Sequence, residues 1–186
     1  MKTFRQITDG LTEQYNNAVD FYYKADLRNF FSNIRNAAEN VCRAIIFDAL
    51  QDEDIANKIL DGKKKLYFAR TGKYGIIDLS NGCVPKNRIL LKTAEYALYY
   101  NHKDVCFDYS DREDKKNNIN QNINNAFNKL LNLFSDASAI GSHSDLPDFD
   151  ETCQAANAAA GINAFFDFIK QGHYVSSELQ DIFGSF

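Results

Sequence analysis

The chain has 186 residues, 45% of them hydrophobic and 13% aromatic, so it is long enough to bury a hydrophobic core. Only two prolines and nine glycines interrupt it, which favours helices over a fold of short strands and turns. A net charge of −4 excludes a global attraction to nucleic acid or to anionic membrane. No apolar run is long enough to span a bilayer and the opening MKTFRQITDG lacks a signal-peptide core, so we expect a cytoplasmic protein with no membrane contact.

The N-terminal third shows three stretches with helical patterning. Apolar residues at spacings of three and four predict a first helix over residues 10–24. A longer and more strongly patterned helix follows Asp26, a residue type suited to the N-cap. A short helix is predicted from Asp52 to Leu60, with Gly62 in the C′ position that favours a left-handed backbone.

Three charged residues stand four apart on the longer helix, namely Arg35, Glu39 and Arg43. Side chains at this spacing can touch, and Glu39 before Arg43 is the favoured order for a helical ion pair. The simpler interpretation is a ladder of surface ion pairs. In the alternative interpretation, Arg35 and Glu39 face a polar cleft and take part in chemistry.

The stretch from Lys63 to Lys92 is the least helical part of the chain and the most basic. Thr71-Gly72 between LYFA and YGIIDL predicts a small hairpin within an irregular insertion around residues 62–86. Eight basic residues stand against one acid, Asp78, which gives a local charge of +7: Lys63, Lys64, Lys65, Arg70, Lys73, Lys86, Arg88 and Lys92. This segment can lie against phosphates, with Lys63, Lys64, Lys65, Arg70 and Lys73 as candidate nucleic-acid contacts. In the alternative, it is a solvated loop whose lysines keep the chain soluble.

The second half continues the helical pattern. It predicts helices from about Asn87 to Tyr100, from about Lys116 to near Gly141 and from about Asp148 to near Gly172, then a short terminal helix capped by Ser176 or Ser177. A seam typical of coiled coils alternates steps of four and three: Ala155, Ala159, Ile162, Phe166 and Ile169. The sequence therefore predicts one all-α domain over residues 1–186, an up-and-down bundle of about five to six helices with the insertion.

The four cysteines, Cys42, Cys83, Cys106 and Cys153, include no C-x-x-C pair. In a reducing compartment we expect free thiols, most of them buried.

The junction FSDASAIGSHSDLPDF joins two of the predicted helices and carries the candidate catalytic residue His143. Ser142, Ser144 and Asp145 flank this histidine, and histidine is the side chain whose unperturbed pKa lies near 7. The alternative is a structural histidine that bonds a carbonyl at the helix end. No phosphate-binding loop, dinucleotide motif or metal motif occurs, so we expect neither cofactor nor metal.

Two stretches resemble the HEPN superfamily of small helical domains. FSNIRNAAENVCRAI is similar to an R-x-x-x-E helix of several branches, and AIGSHSD is followed, as in that superfamily, by an Ala-rich helix with a Phe-rich end. The resemblance implies a four-to-five-helix bundle that often dimerises and that occurs in bacterial toxin–antitoxin and antiphage systems.

Catalytic HEPN members carry an arginine that is separated from a histidine by four to six residues, and the pair acts in metal-independent RNA cleavage. His143 matches the histidine, but the arginine positions hold Ser138, Ala137 and Asp136. None of these is basic, so none supplies the cation that phosphodiester cleavage needs to stabilise charge on the phosphate. Arg35 could supply the cation from a neighbouring helix, but without it the resemblance implies a non-catalytic member.

These observations favour a HEPN-like RNA-binding or regulatory domain in a toxin–antitoxin or defence system. RNA, a second copy of the chain in a homodimer and a cognate protein are the expected partners. One alternative is a metal-independent ribonuclease that uses His143 with Arg35 or with an arginine of a partner, and Glu39 is the third candidate catalytic residue. The other is a purely structural dimerisation module built on the seam of residues 155–169.

Overall fold

A computed structural model of the chain describes residues 1–68, 74–86, 88–101, 113–140 and 149–186. The described residues form seven helices and one two-stranded antiparallel sheet, which confirms the predicted all-α fold with a hairpin insertion. In chain order the elements are α1 (Phe4–Tyr23), α2 (Leu27–Leu50), α3 (Glu53–Leu60), β1 (Lys64–Phe68), β2 (Tyr74–Asp78), α4 (Arg88–Asn101), α5 (Glu113–Ile140), α6 (Phe149–Gly172) and α7 (Ser177–Gly184). Five helices are long, and α3 and α7 have eight residues each.

Helix α2 is the centre of the bundle. It contacts α1, α3, α4, α5 and α6, and its residues 44–49 are all buried, so this stretch is enclosed on every side. The Asp26 side chain accepts a hydrogen bond from Asn29 N–H, which confirms the predicted N-cap. Buried side chains from every helix and from β1 belong to one hydrophobic cluster.

Helix α1 begins at Phe4, so the predicted start at residue 10 was wrong. Thr3 and Gln6 form a capping box, in which each side chain accepts a hydrogen bond from the other residue's backbone N–H at 3.0–3.2 Å. This Thr-x-x-Gln pattern was readable in the sequence.

The hairpin is attached to the bundle by one buried side chain among those described, Leu66 of β1, which is 1% exposed. β1 packs on α3 and α4, and its register with β2 runs from the pair Lys64 and Asp78 to the pair Phe68 and Tyr74. The predicted turn at residues 71–72 lies outside the described residues. Gly62, with φ +72°, occupies the C′ position of α3 as predicted.

The seam on α6 packs within the chain. Ala155, Ile162, Phe166 and Ile169 are buried in the single subunit, and Ala159 is half-buried. The seam therefore contributes intramolecular packing, while the homodimer stays a prediction. After α6 the chain turns into α7, which Ser176 caps as predicted.

The described cysteines differ from the predicted pattern of mostly buried thiols, because Cys83 and Cys153 are exposed and only Cys42 is buried. Cys106 lies outside the described residues. Burial raises the pKa of the Cys42 thiol to about 12. At pH 8 its thiolate fraction is therefore roughly one in 10⁴.

We accordingly expect iodoacetamide at pH 8 to modify Cys83 and Cys153 in the folded protein and to modify Cys42 only after unfolding. Peptide mass spectrometry before and after addition of urea measures the three sites separately. Rapid modification of Cys42 in the native protein would contradict this expectation.

Candidate anion-binding site

A cavity of about 590 Å³ lies between β1, α4 and α5. Its polar lining includes Lys65 from β1, Arg88 and Lys92 from α4, and Asn124 and Asn128 from α5. Arg88 and Lys92 stand four residues apart, as do the two asparagines, so helical periodicity places each pair on one face. The hairpin and two helices thus bring together side chains that are far apart in sequence.

A buried carboxylate, Glu95, anchors the polar side of this cavity and is 2% exposed. Its Oε1 accepts hydrogen bonds from Tyr99 O–H at 2.8 Å and from Asn124 Nδ2 at 3.1 Å. Its Oε2 accepts one from Lys92 Nζ at 2.7 Å. A buried carboxylate is tolerated only when donors of this kind replace water, so the network stabilises the contact of α4 with α5.

The cavity carries an excess of positive charge. Three cations, Lys65, Arg88 and Lys92, stand against the single carboxylate of Glu95, which leaves a charge of +2. Lys92 is paired with Glu95, whereas Lys65 and Arg88 form no ion pair within the described part of the chain. Two uncompensated cations at a concave surface favour an anionic ligand.

The predicted nucleic-acid contacts divide into three groups. Lys63 pairs with Asp61 at 3.6 Å, and Lys64 pairs with Asp78 at 2.7 Å across the hairpin. The Lys64 hydrogen bond lowers the pKa of the Asp78 carboxyl. Lys65 alone of the three lines the cavity. The other predicted contacts, Arg70 and Lys73, lie outside the described residues.

The exposed face of the hairpin borders the cavity and combines an aromatic ring with a cation. Side chains alternate along a strand, so Lys65 and Tyr67 share the face opposite Leu66. The Tyr67 ring covers its cross-strand partner Gly75, and it is 37% exposed. Ile77 is paired with Lys65 and is also exposed. Aromatic rings beside cations are typical of surfaces that bind single-stranded nucleic acid.

Two of the predicted catalytic residues, Arg35 and Glu39, lie on α2 away from this cavity. Glu39 accepts from Arg43 Nη2 at 3.0 Å and lies 3.6 Å from Arg35 Nε, so the ladder of ion pairs is confirmed. Neither Arg35 nor Glu39 lines the cavity. His143 lies outside the described residues, so its proximity to Arg35 stays a prediction.

Of the residues that line the cavity, only Lys65 was predicted as a site residue. Arg88 and Lys92 had been counted in the basic segment without being chosen as contacts, and Glu95, Asn124 and Asn128 had not been singled out. The spacing of Lys92, Glu95 and Tyr99 was a readable signal, because residues three and four apart on a helix are neighbours. The hydrogen bond from Asn124 to Glu95 joins residues that are 29 positions apart. It depends on how α4 and α5 pack, so no pattern in the sequence indicates it.

Among the helices described, none combines the length and the apolar character needed to cross a membrane. The same residues contain no group of three or more His, Cys, Asp or Glu side chains placed to hold a metal ion.

Comparisons with protein-family models, with curated proteins and with solved structures found no match to this chain.

Proposed function

We propose that this helical bundle binds RNA without cleaving it, and that the cationic cavity is the contact. The observation that carries the proposal is the convergence of Lys65, Arg88 and Lys92 on one concave surface with a single carboxylate. Lysine and arginine side chains neutralise phosphates and release the counterions that phosphates hold. A regulatory role in a toxin–antitoxin or defence system is part of the proposal, and it rests on the HEPN resemblance alone.

The shape of the site favours single-stranded RNA over a duplex. Its cations line a cavity rather than an extended stripe, so they fit one stretch of a flexible strand better than a row of duplex phosphates. Tyr96 lines the cavity and Tyr67 lies on the adjoining hairpin face, so aromatic side chains accompany the cations of the site. The net charge of −4 argues against general attraction to any polyanion and favours a local contact.

Replacing Lys65 by glutamine should weaken the binding of a short single-stranded RNA about threefold to tenfold, because a phosphate contact is lost. The slope of log affinity against log salt concentration should fall by about 0.7 to 1. Fluorescence anisotropy at several salt concentrations measures both quantities. The double variant with Arg88→Gln should lose more affinity than either single variant.

The matched control is Lys63→Gln, which removes the same charge two residues away. Lys63 is paired with Asp61 and does not line the cavity, so its loss should change the affinity less than twofold. The proposal fails if wild-type protein does not bind RNA, or if the two lysine variants lose equal affinity.

Recovery of intact RNA from the same samples, incubated with a chelator, tests the non-catalytic part of the proposal. The ribonuclease alternative requires cleavage by wild type that His143→Ala abolishes. Such cleavage would replace the proposed binding role with a catalytic one.

A further inference from the structure

A second cavity, of about 300 Å³, lies between α1, α2 and α6 and shares no described lining residue with the cationic cavity. Five of the side chains that line it are aromatic: Tyr15, Tyr22, Tyr23, Phe30 and Phe186. The rest of its described lining is aliphatic, apart from the amide of Asn163 on α6. We call this cavity the aromatic pocket. None of the described residues that line it carries a charge.

The rings of the aromatic pocket meet at steep angles, so they enclose space instead of stacking flat on one another. The planes of Tyr22 and Tyr23 differ by 79° and those of Tyr22 and Phe30 by 58°. Phe186 packs on Tyr15 with the ring centres 4.5 Å apart. Phe30 is 1% exposed and Tyr23 is 83% exposed. The pocket therefore runs from a buried floor at Phe30 to a rim at Tyr23 that solvent reaches.

One hydrogen bond sets what the amide offers to a ligand. Tyr15 O–H donates to Asn163 Oδ1 at 2.6 Å and so links α1 to α6. This bond engages the oxygen of the amide and leaves both N–H groups of Nδ2, which donate no hydrogen bond within the described residues. Asn163 lines the pocket, so its Nδ2 is a donor within reach of a bound molecule.

We propose that the aromatic pocket binds a small uncharged ring compound that carries one hydrogen-bond acceptor, such as a carbonyl oxygen. The aromatic side chains provide contact area for the ring of the ligand, and the Nδ2 donor of Asn163 fixes the position of the acceptor. The uncharged lining disfavours an ionic ligand, because no opposite charge replaces the water that the ion gives up. A volume of about 300 Å³ stands at the lower end of the range for small-molecule sites.

The first test compares four phenyl compounds of similar size, which are acetophenone, isopropylbenzene, benzoate and phenyltrimethylammonium. Acetophenone should bind about threefold to tenfold more tightly than isopropylbenzene, the gain expected from one uncharged hydrogen bond. Benzoate should bind at least about tenfold more weakly than acetophenone, because its charge finds no partner in the pocket. Ligand-observed NMR titrations measure the four dissociation constants.

Two outcomes of this comparison would overturn the inference. Tightest binding of phenyltrimethylammonium would show that the rings act as a site for a quaternary ammonium group. Failure of acetophenone to bind would show that the pocket is only a gap in the packing. RNA binding enters neither outcome, so the inference and the proposed function can fail separately.

The variant Asn163→Asp tests the donor. It keeps an oxygen that can accept from Tyr15 O–H and replaces the Nδ2 donors by a second acceptor. The advantage of acetophenone over isopropylbenzene should disappear, whereas isopropylbenzene should bind as it does to wild type. Asn157→Asp is the matched control, because Asn157 is exposed on the same helix and does not line the pocket. An advantage that survives in Asn163→Asp would exclude the amide from the site.

The variant Ala159→Leu tests the location by filling the pocket. Ala159 lines it and is half-buried, so a larger side chain there takes the space of the ligand. Acetophenone should bind at least about tenfold more weakly, since the contacts of its ring are lost. Ala160→Leu, an exposed neighbour outside the pocket, should keep wild-type affinity. Thermal unfolding verifies the fold, and unchanged affinity in folded Ala159→Leu would contradict the assigned site. If Ala159→Leu does not fold, the Asn163 and Asn157 pair decides.

Discussion

Replacement of Glu95 by alanine is expected to lower the free energy of unfolding by about 2–4 kcal/mol, because three donors lose their acceptor at once. Tyr99 O–H and Asn124 Nδ2 lose the carboxylate oxygen to which they donate, and Lys92 loses its counter-charge. Lys92 is 46% exposed and can be partly solvated, which keeps the loss below that of a fully buried pair. Urea unfolding followed by circular dichroism measures the change.

Glu13→Ala provides the control for this substitution. Glu13 lies exposed on α1, so its replacement should change the stability by less than about 0.5 kcal/mol. Equal stability of the Glu95 and Glu13 variants would show that the buried carboxylate does not stabilise the contact of α4 with α5.

The variant Glu95→Gln tests the effect of the carboxylate on RNA binding separately from its effect on the stability of the fold. It keeps one acceptor oxygen but removes the charge that balances Lys92, so the cavity charge should rise from +2 to +3. We expect Glu95→Gln to unfold at lower urea concentration than wild type and yet to bind RNA at least as tightly. A loss of RNA affinity in this folded variant would contradict that expectation.

The second large effect is expected for Gly62→Ala, with a loss of about 2–3 kcal/mol in the free energy of unfolding. The left-handed backbone at φ +72° disfavours any residue with a Cβ, and a Cβ at this position would overlap the carbonyl of Cys83. The backbone around Gly62 is held by two hydrogen bonds, since Gly62 N–H donates to Ile59 O at 3.0 Å and Leu79 N–H donates to Lys63 O at 2.9 Å. Thermal unfolding measures the loss.

Gly161→Ala is the contrasting variant. Gly161 lies inside α6 with open space where its Cβ would stand, so alanine should stabilise the protein by about 0.5–1 kcal/mol. Opposite signs for the two glycine variants are therefore expected. A stabilising or neutral Gly62→Ala would show that residues 79–86 can move away without loss.

Local signals in the sequence were enough to predict most of the fold. The helical periodicity located the helices, and Asp26 and Ser176 cap them as predicted because capping depends on residues within one turn. The Thr3 capping box was missed although it is equally local. The sequence does not indicate that Cys42 is buried while Cys83 and Cys153 are exposed, since the exposure of each thiol depends on how the elements pack.

The candidate site was predicted only in part. The count of basic residues located the segment that contains Lys65. It could not distinguish Lys65, which lines the cavity, from Lys63 and Lys64, which do not. Asp61 lies just before the counted segment, and the strand register brings Asp78 to Lys64, so two of the three lysines are paired. Asn124 and Asn128 line the cavity because α5 packs against α4, and a count of charged residues cannot detect them.

The two asparagines of the cavity differ in how freely they can change during evolution. Asn124 bonds the buried carboxylate, so substitution there would disturb the junction of two helices. Asn128 is exposed, and among the described residues its side chain bonds only Asn124 one turn away, so it can be exchanged with little effect on folding. Homologues that keep residues 95 and 124 and vary residue 128 would thus retain the junction of α4 with α5 while the surface of the cavity changes.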